Sequence, residues 1–175
     1  MLTSKIDLGP LLNAQIKSFK GYRWQATFRD VGIFVALPIA LGAAVLWAQP
    51  KVYNAGSGIA GVSVLTGLLF ALLVNVFNLA VKMRRDEGLT PESLILGTVD
   101  ELLANVGWSV LVGLALVVTL ACGVSTQQPN HELGRWWVAV IVVMFAHLLV
   151  TVLMALSRIF SAHAQIAELA PPMRK

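Results

Sequence analysis

Four stretches of this chain carry no charged side chain: Val31–Gln49, Gly56–Val81, Leu102–Val124 and Trp136–Ser157. Each is close to or above the roughly 20 residues that an α-helix needs to cross about 30 Å of hydrocarbon. None alternates apolar with polar residues as a barrel strand does. In lipid a backbone must satisfy its own hydrogen bonds, so each run reads as a helix. Only 13% of the 175 residues are charged, against about a quarter in a soluble domain. The expected fold class is an all-α membrane protein, an antiparallel four-helix transmembrane bundle over residues 31–158.

Basic residues set the orientation. Residues 1–30 hold Lys5, Lys17, Lys20, Arg23 and Arg29; the middle loop holds Lys82, Arg84 and Arg85; the tail, 159–175 with Arg158 at its edge, adds Arg174 and Lys175. The two remaining loops hold only Lys51 and Arg135. Lys and Arg accumulate on cytoplasmic loops, so both termini and the middle loop are expected on the cytoplasmic side of the membrane. Trp47, Tyr53, Trp136 and Trp137 then fall at the outer interface as an aromatic belt, and Tyr22, Trp24 and Phe28 at the inner one.

Pro10 suits the first position of a helix. From there Leu11, Leu12, Ile16 and Phe19 share a face, which predicts an amphipathic helix lying in the inner headgroup region. In the middle loop, Thr90-Pro91-Glu92-Ser93 carries one helix-start signal. Thr98-Val99-Asp100-Glu101 reads as a capping box opening the third span, with its acids favoured by the helix dipole.

Helices associate in lipid through close packing and interhelical hydrogen bonds, which small residues at four-residue spacing allow. The first run offers Gly32, Ala36, Ala40, Ala44 and Ala48; the second Ser63, Gly67, Ala71 and Asn75; the third Asn105, Ser109 and Gly113. These rows predict tight packing. Pro38 removes one backbone donor inside the first span and frees a carbonyl.

The deep polar side chains are Asn75, Asn78, Asn105 and His147. Leaving them against lipid is unfavourable, so they should face the bundle or a water-filled path. Interhelical glue and a polar constriction in an oligomeric pore are both open for the asparagines. His147 reads as a hydrogen-bonded structural residue or a proton relay, and the relay lacks acids, because no span contains Asp or Glu. His131 and His163 stand apart from it in the topology, so no metal site is expected. The lone Cys122, in an apolar run, reads as a buried small hydrophobe.

No phosphate loop, nucleophile–base pair or paired-cysteine spacing occurs. Gly56-Ser57-Gly58-Ile59-Ala60-Gly61 imitates a dinucleotide fingerprint but opens a membrane span instead of following a strand. Basic residues are scattered, which argues against direct nucleic-acid binding. Neither enzymatic activity nor a cofactor is expected.

Leu73-Val-Asn-Val-Phe-Asn-Leu79 and Asp100-Glu-Leu-Leu-Ala-Asn-Val-Gly-Trp-Ser-Val-Leu-Val112 resemble small four-span proteins of bacterial anti-phage defence loci. The resemblance covers the middle forty residues or so and implies a bacterial inner-membrane protein that alters permeability when triggered. The expected function is a non-enzymatic, homo-oligomeric effector or channel-like assembly whose core Asn75, Asn78, Asn105 and His147 line or brace. One alternative is a scaffold whose Lys82, Arg84 and Arg85 recruit a cytoplasmic protein. Another is a small-molecule transporter subunit.

Overall fold

The computed structural model describes Gly9 and residues 27–53, 55–86, 94–127 and 132–168. The interfacial helix expected from Pro10, the Thr90–Ser93 start signal and His131 lie outside these residues. Four helices follow in order: α1 (Thr27–Ala48), α2 (Gly56–Asp86), α3 (Leu94–Ser125) and α4 (Arg135–Glu168). Three contain a stretch long and apolar enough to cross a membrane, namely Gly56–Arg85, Gly97–Ser125 and Arg135–Ser157. The apolar part described for α1, Phe34–Ala48, is shorter.

The helices outrun the uncharged stretches. α3 begins at Leu94, so the expected capping box at Thr98 lies inside the helix instead of opening it, and Asp100 is engaged by Arg84. α4 continues past Ser157 to Glu168. That extension contains neither Gly nor Pro, and each added residue contributes one more backbone bond once a helix is nucleated. At the other extreme α1 stops sharply. Gln49 takes φ 48° and donates its N–H to the Val45 carbonyl at 2.9 Å, a left-handed cap, and Pro50 cannot continue the helix.

The expected bundle opens into a row. α1 packs on α4, α4 on α3 and α3 on α2, whereas α1 and α2 do not pack on each other although they are consecutive. Arg84 near the end of α2 meets Asp100 near the start of α3, and Gly123 late in α3 meets Trp137 early in α4. Gly42 and Phe34 of α1 meet Val143 and His147 of α4 in reversed order. Each packed pair is therefore antiparallel.

On α2 the inward positions are Val62, Thr66, Leu69, Leu73, Val76 and Ala80, alternating steps of four and three. On α3 the buried positions Val99, Val106, Gly113 and Leu120 recur every seven residues, and so do Ser109, Leu116 and Gly123. This is the spacing that keeps one seam facing a neighbour over many turns. One α3 row meets α2, where a Cβ on Gly113 would lie 2.5 Å from the Thr66 hydroxyl. The other meets α4, where a Cβ on Gly123 would touch the Trp137 ring at 3.6 Å.

The small-residue rows of α1 and α2 are not these seams. Gly32, Ala36, Ala40 and Ala44 are exposed, as are Ser63, Gly67 and Ala71. α1 instead turns Phe34, Pro38 and Gly42 inward. Four-residue spacing alone does not choose the seam, since Phe34, Pro38 and Gly42 share that spacing with the exposed row two residues along. In a stretch without charged side chains on either face, the fit against α4 selects the row that turns inward. Only the third row, Asn105, Ser109 and Gly113, is buried within the chain. Cys122 is exposed, contrary to expectation, because it stands between the inward positions Leu120 and Gly123 and the outer face.

Candidate functional site

The chemistry of the interior gathers where three helices meet. Pro38 has no N–H, so the carbonyl four residues earlier, that of Phe34, has no donor within α1. His147 of α4 takes it up through a hydrogen bond to the Phe34 backbone. On its other side Trp108 of α3 donates Nε1–H to His147 Nε2 at 3.1 Å. A neutral imidazole that accepts at Nε2 carries its proton on Nδ1, which is the donor the Phe34 carbonyl needs. The Phe34 ring also stands edge-on to the imidazole, with centroids 4.4 Å apart. Trp108, His147 and Phe34 thus form one hydrogen-bonded chain across α3, α4 and α1, with every polar atom used.

Beside this chain lies a cavity of about 660 Å³. Val35, Pro38 and Ile39 form one wall, Trp108, Leu111 and Ala115 the other, and Val143, Met144 and His147 the floor. It exists because α1 and α3 both lean on α4 without packing on each other. Its lining is almost wholly carbon, since the indole and imidazole nitrogens are already paired.

The other expected site residues take separate places. Asn105 is completely buried within the core; its backbone carbonyl accepts the Ser109 hydroxyl at 2.9 Å. Asn75 and Asn78 are exposed on α2, the face that also shows Ser63, Gly67 and Ala71. Thr151, below His147, is buried and returns its hydroxyl to the His147 carbonyl at 2.7 Å.

Two polar clasps bracket the helices. At one end Glu132 Oε1 takes the Lys51 ammonium at 2.9 Å and the Tyr53 hydroxyl at 3.0 Å. Leu133 N–H donates to the Val52 carbonyl at 2.9 Å, and the Gln127 amide to the Tyr53 carbonyl at 3.0 Å. The loop from α1 to α2 is thereby stitched to the loop from α3 to α4, over a cluster of Ala55, Leu133 and Val138. The hydrogen bond to Glu132, then desolvation, hold the Tyr53 phenol above its ordinary 10.0. Lys51 first and Tyr53 next hold the Glu132 carboxyl below its ordinary 4.5. Trp47, Tyr53 and Trp136 are exposed around this end, with the Arg135 guanidinium 5.7 Å from the Trp136 ring centre.

At the opposite end one guanidinium nitrogen of Arg84 reaches both Asp100 oxygens, at 2.7 and 2.8 Å. Arg84 is therefore a link between α2 and α3 rather than a free member of the expected partner surface. Lys82 and Arg85 remain exposed. Among the described residues no group of three or more His, Cys, Asp or Glu is placed to hold a metal ion.

Sequence reasoning singles out His147 but misses Trp108 and Phe34. The signal for Phe34 is there, four residues before the one proline in the span. Trp108 offers none, since its partner lies on another helix. No known protein family, curated protein or solved structure matches this chain.

Proposed function

We propose that the chain crosses a bacterial inner membrane four times, with both termini and the middle loop cytoplasmic, and that copies of it assemble through the α2 face bearing Ser63, Gly67, Ala71, Asn75 and Asn78. The assembly acts as a non-enzymatic effector or channel that alters permeability. One observation carries this reading: Asn75 and Asn78 are exposed within the otherwise apolar residues 67–81 of α2. Asn75 stands seven residues before Lys82, about 10 Å deeper at 1.5 Å per residue, which sets it within hydrocarbon. An amide left there without a partner costs ~1–3 kcal/mol. Neighbouring copies or a water-filled path between them would supply the partners, and the small residues above would let the backbones approach. Permeability change agrees with what the resemblance to defence-locus proteins implies.

Electrical recording in planar bilayers tests the reading. Purified protein is expected to produce conductance steps, and Asn75→Leu with Asn78→Leu to abolish them. Protein that stays monomeric in lipid nanodiscs and never changes conductance would overturn it.

A further inference from the structure

We propose that the groove between α1 and α3 is a binding site for one alkyl chain of a membrane lipid, admitted sideways from the bilayer. Its depth fits. His147, on its floor, stands about 18 Å along α4 from Arg135 at 1.5 Å per residue, near the middle of an apolar core about 30 Å thick. Its size fits as well, because 660 Å³ lies within the ~300–1,000 Å³ of sites that enclose whole small ligands.

The chemistry selects the occupant. A polar ligand would find no donor or acceptor, since Trp108 Nε1 and His147 Nε2 are bonded to each other and the imidazole's other nitrogen serves the Phe34 backbone. A helix from a second copy would want small residues on the walls. This groove presents Ile39, Leu111 and the Trp108 indole instead. The exposed small residues Gly32, Ala36, Ala40 and Ala44 of α1 are not part of its lining, and the other exposed small-residue row is on α2. A flexible hydrocarbon chain suits branched and aromatic walls and leaves no polar group unpaired. Trp ordinarily sits at membrane interfaces; here, with its N–H taken by His147, the ring serves as a flat apolar wall. The same hydrogen-bonded chain ties each wall to the floor, so His147 sets the width of the groove.

Phosphatidylcholine brominated at mid-chain is the probe, titrated into the detergent-solubilised full chain. The difference between wild type and Trp108→Phe isolates Trp108 fluorescence. Expected is saturable quenching of Trp108 at a mole ratio about tenfold below that needed for the other tryptophans. Ala115→Phe, at an exposed wall position, should fill the groove and raise the midpoint about tenfold. Val35→Phe, exposed on the opposite wall, should do the same by an independent route. Quenching that grows in simple proportion to bulk lipid and ignores both substitutions would overturn the proposal. So would disulfide capture between two copies carrying Ala115→Cys in a Cys122→Ala background, which would assign the groove to a second subunit.

Discussion

His147 hydrogen-bonds the backbone of Phe34, a carbonyl that α1 itself cannot satisfy because Pro38 lacks an N–H. A defect built into one helix is thus repaired by a side chain from another, and the repair orients the imidazole so that it also accepts from Trp108.

The two changes should therefore couple. His147→Leu leaves the Phe34 carbonyl and the Trp108 N–H without partners and should cost about 1–3 kcal/mol for each group that stays dry. Pro38→Ala returns an N–H to the Phe34 carbonyl, so it should be about 1 kcal/mol more favourable in the His147→Leu background than in wild type. Unfolding in detergent, read as a double-mutant cycle, measures this. Simple additivity would deny the repair.

Gly113 decides how closely α2 and α3 approach. The Thr66 hydroxyl that a new Cβ would strike is itself held by the Val62 carbonyl at 2.7 Å. Gly113→Ala should destabilise by about 1–3 kcal/mol through overpacking. Adding Thr66→Ala should recover most of that loss, and thermal melts of the single and double variants give the comparison.

The clasp over the loop ends should work only in a bounded pH window. Glu132 lies below its ordinary value in the folded chain, so its stabilisation is complete above pH 4.5 and fades as pH falls through the lowered value. Tyr53 lies above its ordinary value, so its contribution is complete below pH 10.0 and fades as pH rises through the raised one. Phenolate absorbance in a Tyr22→Phe background should show Tyr53 titrating later than free tyrosine. Glu132→Gln should bring that midpoint down, and an unchanged midpoint would count against the bond.

Gln49 holds a left-handed conformation at the end of α1. Such a conformation costs a side chain ~1–2 kcal/mol, whereas glycine loses ~0.5–1 kcal/mol of extra chain entropy. Gln49→Gly should therefore stabilise by a net of about 0.5–1 kcal/mol. Gln49→Ile should do the reverse, as denaturant midpoints would show.

The helices themselves are legible in the amino-acid sequence. The four apolar runs correspond to four helices, because absence of charge and a backbone that must bond to itself leave no other regular element. Helix ends are less legible. Thr98 has the look of an N-cap, yet α3 already runs from Leu94 through Gly97 before reaching it, and the partner that occupies Asp100 is on α2. The inward faces are hidden for a similar reason. Ala36, Ala40 and Ala44 stand on a helix that is apolar all round, and composition alone does not say which side meets α4. Arg84 reads as free surface charge until the fold brings Asp100 beside it.

What the sequence determined by itself is the preference for helices and for an apolar solvent, since both follow from the side chains and the peptide bond one segment at a time. It also determined that Phe34 would have a carbonyl to share. Tertiary structure decided who shares it, which seams close, and that α1 and α2 stand apart with a groove beside α1. Those outcomes depend on differences in fit between alternative helix pairings, and such differences exist only once distant segments are in contact.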